Sequence, residues 1–480
     1  MKRIATFIIV IMALAGVVRA QGDYEAFTFS QADYWGTARF MGAGGAFGAT
    51  GGNFSALSTN PASIGLYKHY ETTFTPMQLN FGYTDTWYNG DKSSAQKFKY
   101  TVPQAGIVMA HKIHLENGWK MWQFGFGYNR IMDFNQTFRA NTQINSCLAD
   151  MIVPHANGTY YGNLTGDASL AWYGFLIDTL PGDLSHYQGF YSDYDIDQSA
   201  LVVRSGAIDE MQLAVGGNYN DKLYIGATLA FPFLNFKENT TYKETPSYED
   251  DLYGISSYTL YTSQRNSGTG VNLKLGVIYQ PTDFLRIGAA FHTPTYYWRI
   301  RDYFTRQLVT QLSNASKLDY SYDNTNSFSL TTPLKFNVNA SFLIAKRAFI
   351  AAEYEFENYG MASLYSDNYD YIVENEAVKN KYGASHIVRV GTEVNITQGF
   401  ALRAGYRLKT SPYKLNDTPY NNNTHFITAG LGFKGKIMFF DLAYVLRMSK
   451  DSYWLYDAYG VPCNYAAKTH SVVATIGCKF

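Results

Sequence analysis

The sequence predicts an all-β fold, a 14-stranded antiparallel transmembrane β-barrel, and three observations carry that expectation. From Tyr70 to the C-terminus apolar and polar residues alternate with period two, as in strands whose two faces meet different surroundings. The connections between the alternating segments are by turns short and long. Beyond Met1 to Ala20, no apolar run approaches the ~20 residues that a membrane helix requires.

Composition agrees. Only 16% of the 480 residues are charged while 17% are aromatic, with 41 Tyr and 32 Phe. Such a chain suits strands that are apolar on one side only. Met1 to Ala20 reads as a secretory signal: Lys2 and Arg3 precede an apolar stretch from Ile4 to Val18, and Val18-Arg19-Ala20 offers a cleavage site. No cysteine follows it to accept a lipid. Losing Lys2, Arg3 and Arg19 tips the balanced 39 basic and 39 acidic residues to a net acidic chain, which excludes nucleic acid as a partner.

The clearest strands set the frame. Leu334, Phe336, Val338, Ala340 and Phe342 alternate with Lys335, Asn337, Asn339 and Ser341. Ile350, Ala352, Tyr354 and Phe356 alternate with Ala351, Glu353, Glu355 and Glu357, and Leu402, Ala404 and Tyr406 with Arg403, Gly405 and Arg407. A soluble sandwich would have to bury the charged side or expose the apolar one. A membrane barrel puts lipid outside and water inside, which satisfies both. The segments fall at roughly 70–84, 101–113, 119–140, 206–220, 222–245, 256–280, 284–306, 327–344, 347–364, 385–396, 399–411, 423–434, 436–449 and 468–480. The long connections, 85–100, 141–205, 246–255, 307–326, 365–384, 412–422 and 450–467, are then the outer loops. The last strand ends in Phe480, a terminal aromatic of the kind that barrel-assembly machinery reads during biogenesis.

Ahead of the strands, Thr37 to Leu66 crowds Gly42, Gly44, Gly45, Gly48, Gly51 and Gly52 into one stretch and continues to Asn60-Pro61-Ala62. Glycine at that density allows positive φ and close packing. Asn53 is placed to cap a short helical turn, which Pro61 stops. The stretch is too apolar for a free tail and too irregular for a strand, so it is expected to pack inside something.

These residues resemble the N-terminal hatch of the FadL/TodX (OMPP1) outer-membrane transporters, in Thr37-Ala38-Arg39-Phe40-Met41-Gly42-Ala43-Gly44-Gly45-Ala46-Phe47, Ala56-Leu57 and Asn60-Pro61-Ala62. The chain departs from that pattern at Gly52-Asn53, where an acidic pair is usual, and at Ser63, where glycine is common. The resemblance implies a luminal plug over 21–66, a barrel over 67–480 with a long outer loop at 141–205, and a bacterial outer-membrane location. It also implies passive uptake of small hydrophobic compounds such as long-chain fatty acids or aromatic hydrocarbons, gated by the plug. The partners implied are an apolar small molecule and outer-membrane lipid.

Phe40, Met41 and Phe47 are candidates to line the path, being apolar and adaptable. Trp172, Tyr173 and Phe175 are further candidates, because an apolar stretch on an outer loop must pack against another loop or offer itself to a ligand. Strand parity puts Glu353, Glu355, Glu357, Arg389, Glu393, Arg403, Arg407, Asp441 and Arg447 in the lumen, where they read as a pairing network rather than an acid–base site. The nine histidines show no close metal pair apart from His111 with His114, which reads as a turn. No G-x-S-x-G elbow occurs, and Gly430 to Lys436 has P-loop spacing but Ile437 where Ser or Thr is needed. No cofactor, metal or catalytic residue is expected. Cys147 and Cys463 are placed to pair if both lie on outer loops. The competing reading is a surface structural or adhesive barrel without transport.

Overall fold

The computed structural model describes residues 22–113, 118–189, 195–246, 254–345, 347–414, 422–455 and 462–480. The signal expected over 1–20 and His114 lie outside the described residues.

The wall begins with β1 (Glu71–Tyr88), followed by β2 (Asp91–Thr101) and β3 (Gln104–Lys112), then β4 (Trp119–Asp133) and β5 (Gln136–Ile144). A small hairpin, β6 (Ile177–Leu180) and β7 (Asp183–Gly189), belongs to an outer cap. The wall resumes with β8 (Ile196–Tyr219), β9 (Leu223–Pro246), β10 (Ile255–Thr282), β11 (Leu285–His292), β12 (Tyr296–Leu312), β13 (Lys317–Thr331) and β14 (Lys335–Ile344). It ends with β15 (Ala348–Asn358), β16 (Ser363–Tyr365), β17 (Ala384–Asn395), β18 (Phe400–Lys409), β19 (Thr424–Lys434), β20 (Met438–Tyr453) and β21 (Cys463–Lys479). Interrupted strands count once (β2 with β3, β4 with β5, β11 with β12, β13 with β14, β15 with β16), which makes a closed antiparallel barrel of 14 staves. β1 ladders onto β21 from Glu71↔Lys479 to Trp87↔Asn464, which closes the cylinder. That ladder leaves no free edge where the first and last strands meet.

Prolines explain several interruptions. Pro103, Pro294 and Pro333 fall in the gaps between β2 and β3, β11 and β12, and β13 and β14, where a missing N–H breaks a ladder. Parity runs as the sequence requires. Phe74, Leu213, Leu229, Leu275, Phe336, Leu402, Ile427 and Ile476 are exposed on the outer face, while Gln78, Gln212, Thr228, Ser341 and Glu355 are fully buried inside. Near the outer rim of this apolar belt, three phenols meet imidazoles across strands: Tyr354 with His386 at 2.8 Å, Tyr406 with His425 at 2.8 Å and Tyr444 with His470 at 2.7 Å. Tyrosine and histidine suit a level where one end of a side chain is dry and the other wet.

The outer connections differ from expectation. Residues 85–100 are no loop: β1 and β2 run on to a two-residue turn at Asn89-Gly90 with φ of 47° and 91°. Residues 307–326 are likewise strand, up to a turn between Leu312 and Lys317. Within 141–205, β5 and β8 continue as a ladder from Gln136↔Arg204 to Ile144↔Ile196. Above the belt the outer strand face meets water instead of lipid, so the apolar alternation fades although the backbone ladder persists, while Ile196, Ala200, Val202 and Leu308 stay buried on the inner face. The leading segment carries the helices α1 (Asp23–Ser30) and α2 (Ala38–Gly42), and the true insertions are also helices: α3 (Leu148–Ala156) and α4 (Gly166–Tyr173) in the cap, and a further one at Ile372–Lys381.

Candidate functional site

Residues 22–66 pass through the barrel from its outer mouth to its periplasmic end. At the mouth a short helix, Asp23–Ser30, is held by Asp23, which pairs with Lys381 at 3.0 Å and accepts from the Tyr382 hydroxyl. Its Phe27 stacks on Tyr382 at 4.6 Å and meets Tyr359 edge-on. The amides of Asp33, Tyr34 and Trp35 then donate to the carbonyls of Ile131 and Arg130 at 2.8–2.9 Å, so the chain rides on the inner face of β4.

Below this, Thr37 caps the one-turn helix Ala38–Gly42, its Oγ1 accepting from Phe40 N at 3.3 Å. The turn after it lies directly on the wall. Gly391 and Gly405 face each other across β17 and β18. A Cβ on Gly405 would come within 2.3 Å of Gly44 N, and one on Gly391 within 2.1 Å of Ala43 O. Gly44 and Gly45 both take positive φ. Asn60-Pro61-Ala62 sits on a second glycine row, Gly216, Gly226 and Gly276, paired across β8, β9 and β10. A Cβ there would meet Ile64 Cγ2 at 2.3 Å, Pro61 O at 2.3 Å or Asn60 Oδ1 at 2.0 Å. Phe54 covers a third pair, Gly106 and Gly127 of β3 and β4. Asn53 and Asn60 cap their turns, accepting from Ser55 N and Ala62 N at 3.0 Å each.

Charges fasten the same segment. Arg389 pairs with Glu353 at 2.5 Å and with Glu355 at 3.1 Å, and Gly48 N donates to Glu353 at 3.0 Å. Arg403 bridges Glu393 and Asp441 at 2.6 Å each, and Glu393 also receives Arg39 at 2.8 Å. Arg407 and Arg447 converge on Asp33 instead. Asp33 and Arg39, both on the leading segment, complete the network, and sequence reading missed that role for them. Strand parity picks out the wall charges alone. The glycines at inward strand positions were the other available signal, because glycine inside a strand marks close backbone approach.

The path candidates do not come together. Phe40, Met41 and Phe47 are buried in the lumen, with Phe47 edge-on to Phe349 at 5.5 Å. Trp172, Tyr173 and Phe175 lie in the outer cap, the first half-buried against Tyr161 and Tyr187, the other two exposed. Two cavities lie beside the segment. One of about 40 Å³ lies between Tyr34, Glu210, Lys274 and His292 and has room for ordered water. The other, about 200 Å³ at the periplasmic end, is lined by Arg39, Glu71, Glu393, Arg403, Asp441 and Lys479. Neither is lined by Phe40, Met41 or Phe47.

The wall itself has a seam. β2 ladders onto β1 and β5 onto β8, yet no ladder joins β2 to β5 among the described residues. Side chains bridge the two instead: Asn141 donates to Ser93 Oγ at 3.2 Å and Thr142 to Asp91 at 2.7 Å. In the cap, Cys147 and Cys463 are both free thiols in one buried cluster with Leu148, Ile152, Leu170 and Tyr242, and they are not paired. Burial pushes both thiols well up.

Solved structures share the architecture: the Pseudomonas putida toluene transporter TodX at 14% identity (93% of this chain, 99% of that chain, TM-score 0.54) and a Pseudomonas aeruginosa FadL homologue at 13% (92% and 98%, TM-score 0.52). The CymD monoaromatic hydrocarbon channel matches at 11% (94% and 99%, TM-score 0.50). The chain therefore has the FadL/TodX fold, and its lipid-facing belt around a polar interior makes it a bacterial outer-membrane barrel. No curated protein matches it. A sequence profile described as BamG matches residues 169–442, more than half of the length. The chain belongs to the BamG family.

Proposed function

We propose that this protein carries small hydrophobic compounds across the outer membrane, with residues 22–66 as its gate. Two of the structures that share its fold are a toluene transporter and a monoaromatic hydrocarbon channel. The observation that carries the reading is the seam between β2 and β5. The segment fills the lumen, so a straight aqueous route is shut. The wall beside it is closed at one place by side chains rather than by a backbone ladder. An apolar solute gains nothing from a water-filled pore, whereas a side opening at the rim of the belt lets it leave into lipid. Phe98 and Tyr100 of β2 stand exposed on the outer face there.

A disulfide across the seam tests this. Ser93→Cys with Asn141→Cys joins side chains that already touch. In proteoliposomes the oxidised double variant should lose most uptake of labelled toluene or laurate, and reduction should restore it. Uptake unchanged by the staple rules out the side route. No uptake by the unmodified protein across a panel of apolar solutes rules out transport altogether.

A second reading has its own support. BamG-family membership brings in the barrel-assembly machinery as a partner, and a lumen tied by so many buried ion pairs also suits a closed, structural barrel. Absent flux together with stoichiometric co-purification of that machinery is the outcome it requires.

A further inference from the structure

The outer face of β9, β10 and β12 changes character over a short distance. Up to Phe233 on β9 and Leu273 on β10 its exposed residues are apolar. Just beyond stand Lys237, Arg265, Arg299 and Arg301, with Asn235, Ser267 and Thr269 between them. The ladders set them side by side. Lys237 is directly opposite Arg265, Ser267 is opposite both Asn235 and Arg301, and Thr269 is opposite both Phe233 and Arg299. The inward positions are taken by Phe236, Asn266, Ile300 and Asp302, all buried, which leaves the cations on the outer side. A bulge adds to the patch. The register of β12 slips at this level against both β10 and β13, so the consecutive residues Trp298 and Arg299 are both exposed.

Like charges directly opposite each other in a sheet are destabilising. Among the described residues, no carboxylate and no side-chain hydrogen bond reaches any of these cations. Asp209 of β8, opposite Phe233, is held by Arg130 at 2.8 Å, and Asp323 of β13 faces Thr305 a row further out. Exposed Tyr296, Trp298 and Tyr303 frame the patch, rings suited to the boundary between lipid and water.

We propose that this patch binds the phosphates of a phosphorylated glycolipid in the outer leaflet. A lipid whose chains lie against Phe233, Leu273 and Leu275 places its headgroup at the level of the cations. An anion between Lys237 and Arg265 removes their repulsion, and Arg299 and Arg301 offer further charge-assisted donors on the same face. The hydroxyls of Ser267 and Thr269 serve the remaining phosphate or sugar oxygens. Continuity with the apolar belt selects a lipid, because an acidic protein surface on the patch would also have to cover side chains that face the membrane. Neither the segment in the lumen nor transport enters this inference.

The test uses the full-length barrel in a neutral detergent with labelled, diphosphorylated lipid A. The native protein should bind it saturably, and dephosphorylated lipid A should displace it only at roughly tenfold higher concentration than unlabelled lipid A. Arg265→Gln combined with Arg301→Gln should erase that preference. Lys237→Arg should keep it, as should Lys222→Gln at the turn between β8 and β9. Equal displacement by the two lipids overturns the proposal, as does a preference left intact in the double variant. Inorganic phosphate displacing the label as well as lipid A does would mean a site for free anions only, and overturns the lipid assignment. Absent lipid A binding, with an acidic protein held at the patch instead, also overturns it. Heat-modifiable migration on electrophoresis checks each fold, and if the double variant does not fold, loss or retention of the preference in Arg299→Gln decides.

Discussion

Arg389 shows what a buried charge does in this lumen. It is 1% exposed and serves two carboxylates that are just as buried. Removing one member of such a group leaves the others uncompensated, which costs more than the pair contributes. Arg389→Met should therefore destabilise the barrel by about 3–5 kcal/mol, read as a lower midpoint in urea. Adding Glu353→Gln and Glu355→Gln should restore most of it. A triple variant no better than the single would show that the network matters by shape rather than by charge. In the cap, above the belt, Glu244 accepts from Leu148 N at 3.1 Å, Gln198 at 3.1 Å and the Tyr242 hydroxyl, with Asp150 close by. Burial pushes its carboxyl up to about 8, against the pull of those donors. A raised carboxyl binds its proton more tightly when folded, so its contribution is full at acid pH and is lost as pH rises from the ordinary carboxylate range through about 8. Protection factors of the α3 amides, which remove the intrinsic rise of exchange with pH, should fall across that window in the native protein and stay flat in Glu244→Gln.

At the scale of elements, the leading segment is seated by glycine rows more than by any single bond. The wall offers bare backbone at Gly391 and Gly405, at Gly216, Gly226 and Gly276, and at Gly106 and Gly127. Each row lies under one part of the segment. Gly276→Val would drive a side chain into Asn60. Overpacking of this kind costs about 1–3 kcal/mol, and the loss should fall on the segment first. Hydrogen exchange over 42–66 should rise while β9 and β10 stay protected. Equal loss in both would mean that segment and wall unfold as one unit. Half of this fit was legible in the chain. The motif Gly42, Gly44, Gly45 and Asn60-Pro61-Ala62 announces a close-packed, turning segment. Its receiving glycines sit on strands far apart in sequence, and only the register of the ladders brings them into rows.

For the whole molecule, closure and filling are separable. The ladder between β1 and β21 closes the wall without the leading segment, whereas the inward polar residues would meet water if it were gone. Deleting residues 22–66 should leave a heat-modifiable barrel that conducts ions in a planar bilayer, where the intact protein stays shut. A deletion variant that folds but does not conduct would mean that the wall collapses inward or that the cap seals the mouth. The cap, built from α3, α4 and the β6–β7 hairpin, has its own buried cluster around Leu148, Ile152, Leu170 and Ile196, so it is a packed unit rather than a loose loop. Its exposed Tyr173 and Phe175 face outward, away from Phe40 and Phe47 in the lumen.

The sequence by itself determined the barrel, its lipid and luminal faces, and the existence of a packed leading segment. Period-two alternation and glycine density are local properties, written within a few residues of each other. Tertiary structure alone decided where the ladders overrun the belt, which glycines meet, that Asp33 and Arg39 close the charge network, and that β2 and β5 are left unladdered. Those features depend on pairings between residues as distant as Asp33 and Arg447, and no local periodicity encodes such a distance.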